Sequence, residues 1–146
     1  IKLVIAGSGK EFNNLKNYID INNLKKNVKL LNFLSNPYNY IKKSDVFILP
    51  SNYEGLPNVL LESQCLKKII LSTNCPTGPK EILLNGKAGI FFKMNNYKDL
   101  AHKIELIYRN KTTIKKKTII GYNNLNRFDE KTNLNKYYLV LKKHLF

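Results

Sequence analysis

Short apolar runs that alternate with longer segments of helical periodicity are the feature that most constrains the fold of this chain. The runs are rich in Val, Ile, Leu and Phe, and in the stretches between them apolar residues recur every three or four positions. Such alternation is typical of βα units, in which crossover helices join parallel strands. The runs are almost continuously apolar, which indicates that helices cover both faces of the sheet. The sequence therefore predicts an α/β fold with a doubly wound, Rossmann-like parallel sheet.

The predicted elements are spread over all 146 residues, a length that suits one domain, 1–146, with a single core. The predicted strands are Leu3–Ala6, Val28–Leu31, Val46–Leu49, 69–72 and Ile90–Phe92. The predicted helices between them cover residues 10–22, 37–43, 57–66 and 79–84. From residue 96 onward the period stays helical, in segments marked by Leu100, Ile104 and Ile107, by Ile119 and Ile120, and by Tyr137, Val140, Leu141 and Leu145. We expect these C-terminal helices to pack against the rest of the domain.

The net charge of the chain is +15, from 25 basic and 10 acidic residues. A charge of this size raises the alternative of a non-enzymatic basic module that binds nucleic acid or an anionic membrane. Only Arg109 and Arg127 are arginine, however, and arginine is the side chain that base and phosphate recognition favours. The joint excess of Lys and Asn favours a compositional bias at surface positions, so no nucleic-acid partner is expected.

Neither a metal site nor a membrane span is expected from the sequence. Cys65 and Cys75 lack the paired short spacing of zinc ligands, and His102 and His144 have no second His or Cys at ligand spacing. An Asp-x-Asp ligand pair is also absent from the sequence. No apolar run approaches the roughly 20 residues that span a bilayer. We therefore predict a domain that uses no metal ion and has no transmembrane segment.

The most informative segment covers residues 50–64, which leave the carboxyl end of the third predicted strand and turn at Gly55. Pro57 would open a helix there, and the free amides of a helix start attract an anion. Without a side chain, Gly55 lets a phosphate come close to the backbone. Glu54 and Glu62 can bracket this position and accept hydrogen bonds from the hydroxyls of a sugar nucleotide. Alternatively, Glu54 caps the helix and Glu62 is an ordinary helix residue, although burying an unpartnered carboxylate is costly.

A second turn, residues 72–83, leaves the next strand and begins a helix at Pro79. Two such loops side by side would form the walls of one crevice, which is where open α/β sheets bind ligands. Gly78 could allow a close approach to a donor, and Lys80 or the backbone could face its phosphate. A rigid turn built from proline and glycine explains the same residues equally well.

Taken together, these segments resemble the C-terminal, donor-binding domain of family 4 retaining glycosyltransferases of the GT-B architecture. Residues 54–62, Glu-Gly-Leu-Pro-Asn-Val-Leu-Leu-Glu, look like the family's Glu-x7-Glu motif. Residues 28–34 resemble the strand and loop that meet the nucleotide base, residues 44–51 the strand that enters the motif, and residues 75–83 the loop that follows it. The resemblance covers residues 1–110 in order.

The resemblance implies a role for each matching residue. Glu62 would bind the ribose hydroxyls, and Glu54 would contact the donor sugar at the catalytic position. The implied donor-binding residues are Gly55, Leu56, Pro57 and Asn58 around the pyrophosphate, Leu34 with Phe33 near the base, and Gly78 and Lys80 in the second turn. The implied reaction is sugar transfer with retention of configuration and without a metal ion.

The resemblance also implies a substrate class and a setting. The donor class is a UDP-hexose or UDP-N-acetylhexosamine, and the acceptor is a glycan or a lipid-linked sugar in polysaccharide or glycoconjugate biosynthesis. Because the chain opens directly on a strand without an initiator methionine, we expect a fragment that lacks its first strand and the N-terminal acceptor domain and that is inactive alone. We expect a cytoplasmic location with peripheral association at the inner face of a membrane.

Overall fold

The structure of the chain is a computed structural model that describes residues 1–145. Over these residues, strands and helices alternate in the predicted order, and the strands pair in parallel. The strands are β1 Leu3–Ala6, β2 Val28–Leu31, β3 Val46–Leu49, β4 Ile69–Thr73 and β5 Ile90–Phe92. The helices are α1 Phe12–Ile21, α2 Tyr38–Lys43, α3 Asn58–Cys65, α4 Pro79–Ile82, α5 Tyr97–Arg109, α6 Lys111–Asn123 and α7 Glu130–Leu145. The predicted α/β class with parallel strands is confirmed.

The chain divides into two compact units, the first formed by Ile1–Lys43 and the second beginning at Ser44. In the first unit, β1 pairs with β2 and Leu3 lies opposite Val28. The apolar run of β1 predicts a strand that is covered on both faces, yet Leu3 and Val4 are 40% and 44% exposed. Within this unit the sheet has only two strands, and a sheet of this size leaves the apolar side chains of β1 partly exposed.

In the second unit, helices cover both faces of a parallel sheet, as the sequence predicts. Its sheet has the order β3-β4-β5, so β4 is central, and every residue of β4 is buried. On one side of β4, Ile70 packs with Leu60 of α3 and Ile82 of α4. On the other side, Leu71 packs with Ile107 of α5. Helices therefore cover both faces of the central strand, as its continuously apolar sequence requires.

The register of β3 and β4 decides where the following loops lie. Leu49, the last residue of β3, is paired with Ser72 near the end of β4. Because the strands are parallel, the polypeptide leaves β3 and β4 at the same edge of the sheet. We name residues 50–57 the Glu54 loop and residues 74–78 the Gly78 loop; they connect β3 to α3 and β4 to α4.

The C-terminal helices differ in how far they bury the apolar residues that define them. In α5, Ile107 is buried and Leu100 and Ile104 pack against the same core, as predicted. In α6, by contrast, Ile119 and Ile120 are 55% and 39% exposed. The buried face of α6 is instead formed by residues with helical spacing, Ile114, Thr118 and Gly121. At about 100° per residue, Ile119 and Ile120 fall between Thr118 and Gly121 in the sequence and both point away from this face, which explains their exposure.

The last helix, α7, buries none of its residues. Tyr137 and Leu145 are both 68% exposed, and Val140 is 58% exposed. The expectation that the C-terminal helices pack against the rest of the domain is therefore right for α5 and wrong for α7. Helical periodicity identifies an apolar face, but it does not determine whether another element packs against that face. Among the helices of residues 1–145, none is both long enough and apolar enough to cross a membrane.

Asn96 caps the start of α5 and supports a first prediction. Its Oδ1 accepts a hydrogen bond from the backbone N–H of Asp99 at 2.9 Å, and Asp99 Oδ2 accepts one from the backbone N–H of Lys93 at 2.8 Å. Loss of a cap leaves a helix amide without its acceptor. We therefore expect Asn96→Ala to lower the free energy of unfolding, measured in urea, by about 1 kcal/mol. Lys98→Ala in the same turn is the control, and an equal loss there would contradict the capping role.

Candidate functional site

The Glu54 loop and the Gly78 loop are joined by two side-chain hydroxyls. Thr73, the last residue of β4, donates a hydrogen bond from Oγ1 to the backbone carbonyl of Ser51. Thr77 donates a hydrogen bond from Oγ1 to the backbone carbonyl of Glu54. Thr73 is only 1% exposed, whereas Thr77 is exposed. One link is therefore part of the protein interior, and the other lies at the surface.

Gly78 forms a third contact between these loops. Its backbone has φ +70°, and a Cβ built on it would lie 1.9 Å from the carbonyl oxygen of Gly55 and 2.8 Å from Cδ of Pro57. No side chain fits in that space. The sequence left open whether Gly78 allows a donor to approach or serves a rigid turn. The structure explains the glycine by the packing of one loop on the other, and a direct contact with a donor stays a prediction.

Further hydrogen bonds hold the Gly78 loop in place. The backbone N–H of Asn74 donates to the carbonyl of Phe92 in β5 at 3.1 Å. Cys75 is fully buried, and its Sγ lies 3.7 Å from the carbonyl oxygen of Thr77. The backbone N–H of Ile82 donates to the carbonyl of Gly78 at 3.0 Å. The loop is thus anchored at both ends, and it offers a fixed surface to the Glu54 loop.

The Glu54 loop ends at the start of α3. Pro57 is buried and occupies the N-cap position with φ −71° and ψ 99°, so the helix begins at Asn58, one residue later than predicted. Proline has no side-chain acceptor for the first amides of the helix. The N–H of Leu60 donates to the Pro57 carbonyl at 2.9 Å, and the N–H groups before it have no carbonyl one turn back within the helix. A Cβ built on Gly55 would have no atom within 4 Å, so the space beside that residue is open. This helix start can therefore accept an anion.

The two carboxylates of the motif lie on either side of this helix start in the sequence. Glu54 is half-buried in its loop, with its backbone carbonyl bound by Thr77. Glu62 is half-buried in α3. Its neighbour Ser63 is fully buried, and the Ser63 hydroxyl makes no hydrogen bond within residues 1–145. Carboxylates at this depth can accept hydrogen bonds from sugar hydroxyls.

The remaining predicted site residues are placed as follows. Leu56 is 49% exposed in the Glu54 loop, and Asn58 is exposed at the start of α3. Lys80 is exposed in α4, directly after the Gly78 loop. Phe33 and Leu34 belong to the first unit, where they follow β2; Phe33 is 75% exposed and Leu34 is half-buried. Their assignment to the nucleotide base stays a prediction.

Sequence reasoning missed the residues that hold the site together. Thr73 and Thr77 were not singled out, although a hydroxyl at a strand end or in a loop is a frequent partner for backbone carbonyls. Arg127 enters the sequence analysis only as one of the two arginines of the chain, without a role in the site. In the structure, its guanidinium donates to the carbonyls of Glu81 at 3.3 Å and Ile82 at 3.5 Å, at the end of α4.

Other places where a ligand might be sought lie outside the two loops. Within residues 1–145, no group of three or more His, Cys, Asp or Glu side chains is arranged to hold a metal ion. A surface depression of about 250 Å³ is lined by residues of the last turns of α5, including His102 and Arg109. A second of about 360 Å³ lies at the end of α1, beside Asp20 and Lys26. Neither depression is lined by the Glu54 loop or the Gly78 loop.

The fold and the site define a class of protein. The strands are parallel and covered by helices, and two loops at the strand ends meet beside a helix start. This is the architecture of the C-terminal domain of a GT-B glycosyltransferase. The chain belongs to the family glycosyl transferases group 1, whose family description matches residues 1–127.

Individual relatives agree with this membership. The capsular polysaccharide biosynthesis glycosyltransferase CapM of Staphylococcus aureus is 29% identical over 133 residues, which are 90% of this chain and 34% of CapM. The UDP-Gal:alpha-D-GlcNAc-diphosphoundecaprenol alpha-1,3-galactosyltransferase of Escherichia coli is 31% identical over 139 residues, 87% of this chain and 34% of that protein.

A solved structure shares the fold. The crystal structure of Anabaena HepE in complex with UDP matches with a TM-score of 0.86 and 17% identity, over 98% of this chain and 41% of that one. The chain spans between 20% and 34% of the length of the curated relatives it matches.

Proposed function

We propose that this chain is the donor-binding domain of a family 4 retaining glycosyltransferase that uses a UDP-linked hexose or N-acetylhexosamine. The observation that carries the proposal is the contact of the Glu54 loop with the Gly78 loop beside the uncapped start of α3. Such a place suits a pyrophosphate, because free amides and the helix dipole favour an anion there. The relatives support UDP, since one is named for UDP-Gal and the HepE structure contains UDP.

The proposed roles divide the donor between the two carboxylates and the helix start. Glu62 accepts hydrogen bonds from the ribose hydroxyls, and Glu54 contacts and orients the donor sugar. The amides of residues 55–58 hold the pyrophosphate, with Gly78 and Lys80 on the opposite side. Hydrogen bonds to a charged group are among the stronger ones in proteins.

The proposed chemistry follows from these positions. When the bond between the sugar and UDP breaks, the sugar carbon gains positive character and the pyrophosphate gains negative charge. Amides that already point at the pyrophosphate stabilise this charge without reorganisation during the reaction. We propose that the helix start takes the role that a divalent cation has in other transferases, so no metal ion is needed.

The proposed setting rests on relatives and on charge. CapM is named for capsular polysaccharide biosynthesis, and the Escherichia coli relative is named for the transfer of galactose to GlcNAc-diphosphoundecaprenol. A lipid-linked acceptor lies at a membrane, where a net charge of +15 favours contact with anionic lipid headgroups. We propose a cytoplasmic protein that associates peripherally with the inner face of a membrane. The 146 residues alone are expected to bind the donor without transferring it, because the relatives that are transferases are much longer chains.

The proposed function is tested by calorimetric titration of the chain with UDP, ADP and GDP at moderate salt. We expect UDP to bind about tenfold more tightly than the purine nucleotides. When a purine occupies a site that is formed for uracil, polar groups of the site are left without hydrogen-bond partners. Short duplex DNA and anionic vesicles are titrated in parallel. Binding of DNA or vesicles that falls steeply with salt, without nucleotide binding, would instead indicate a basic module.

A further inference from the structure

We infer that Thr77 is a positioning residue of the donor site, which sets the backbone of the Glu54 loop before any ligand binds. The inference rests on the proposed function for its ligand and on three observations for its mechanism. These are the Thr77 hydrogen bond to the Glu54 carbonyl, the contact of Gly78 with Gly55, and the open space beside Gly55.

The first step concerns the freedom of the Glu54 loop. The loop consists of eight residues, 50–57, and contains no helix or strand. Ordering each residue of such a segment costs backbone entropy. A loop that is already held in position when the ligand arrives does not add this cost to binding. Contacts that hold the loop therefore contribute to affinity without touching the ligand.

The second step concerns where the loop is held. Thr73 binds the carbonyl of Ser51 near the beginning of the loop, and Thr77 binds the carbonyl of Glu54 just before Gly55. The Thr77 hydroxyl thus acts on the peptide group that connects the proposed sugar contact to the proposed phosphate contact. That peptide unit is the Glu54–Gly55 bond, so the position of the Gly55 N–H depends directly on this hydrogen bond.

The third step concerns why Thr77 can be tested separately from folding. Thr73 is buried and its partner Ser51 is half-buried, so removal of the Thr73 hydroxyl would leave a partly buried carbonyl without a donor and would lower the stability of the fold. Thr77 is exposed, and water can solvate the Glu54 carbonyl when the hydroxyl is absent. Substitution at Thr77 should therefore change the order of the loop while the melting temperature of the chain stays nearly constant.

The test compares Thr77→Val, which keeps the side-chain shape and removes the hydroxyl, with Thr77→Ser, which keeps the hydroxyl. Thr113→Val, at an exposed position in α6, is the matched control. Backbone 15N relaxation of residues 52–56 is measured without ligand, and UDP binding is measured by calorimetry. We expect Thr77→Val to increase the mobility of these residues and to weaken UDP binding about threefold to tenfold. Thr77→Ser and Thr113→Val should bind UDP within about twofold of the unsubstituted chain.

The two measurements separate this inference from the proposed function. Unchanged mobility of residues 52–56 in Thr77→Val would overturn the positioning role, whether or not UDP binds. The role would also be overturned by a Thr77→Val chain with a mobile loop but undiminished UDP affinity, or by loss of affinity in Thr77→Ser equal to that in Thr77→Val. Failure of the unsubstituted chain to bind UDP would overturn the proposed function and with it the donor-site part of the inference.

Discussion

Gly78→Ala is expected to lower the free energy of unfolding of the chain by about 2–5 kcal/mol, because it adds an atom where the backbone of Gly55 already lies. The new methyl group would be 1.9 Å from the Gly55 carbonyl oxygen, and φ +70° is a conformation that L-residues rarely adopt. Neither strain can be relieved by rotating a side chain, because the opposing atoms belong to the backbone and to a proline ring. Overpacking of this kind costs about 1–3 kcal/mol, and the backbone strain adds a similar amount.

The control for this prediction is Gly55→Ala in the facing loop. A Cβ on Gly55 meets no atom within 4 Å, so we expect a change of less than about 1 kcal/mol in urea unfolding. If Gly78→Ala were as stable as Gly55→Ala, the described contact between Gly78 and the backbone of Gly55 would be contradicted. UDP titration of both variants adds a second comparison, since Gly55→Ala should weaken binding while it leaves the fold intact.

Glu62→Ala is expected to weaken UDP binding about tenfold to hundredfold. Removal of the carboxylate takes away the proposed acceptor for two ribose hydroxyls, and a hydrogen bond to a charged group contributes about 1.5–3 kcal/mol. Calorimetry gives the affinity, and thermal melting of the same variant shows whether the fold is kept. Glu62→Gln keeps the size of the side chain and one oxygen acceptor, so a smaller loss is expected for it.

Glu130→Ala provides the matched control, because Glu130 is an exposed carboxylate in the first turn of α7. We expect it to bind UDP as the unsubstituted chain does. Equal affinity in Glu62→Ala and Glu130→Ala would contradict the ribose contact. Such a result would favour the alternative in which Glu62 is an ordinary helix residue.

Much of the fold could be predicted because its signals are local. The five strands and the helix starts follow from apolar periodicity, proline and glycine, and from β1 to β5 the observed bounds differ from the predicted ones by at most two residues. Burial was harder to predict, as β1 and α7 show, because it depends on what lies against an element. A run such as Leu3–Ala6 indicates a strand without indicating how much cover the strand receives.

The candidate site was predictable only in part for a related reason. The spacing of Glu54 and Glu62 around Gly55 and Pro57 is visible in the sequence and points to an anion at a helix start. The threonines that hold the loop are not visible in this way. Thr77 lies 23 residues from its partner Glu54, and a threonine in a loop has many possible acceptors.

The α/β class, the order of the elements and the carboxylates of the motif can be read from the amino-acid sequence, because each depends on residues that are close along the chain. Which groups of the two loops meet depends on the folded chain. The parallel register of β3 and β4 brings Ser51 to Thr73, Glu54 to Thr77 and Gly55 to Gly78. Contacts between residues more than twenty positions apart arise from strand pairing and packing, and their atomic distances determine why residue 78 must be glycine.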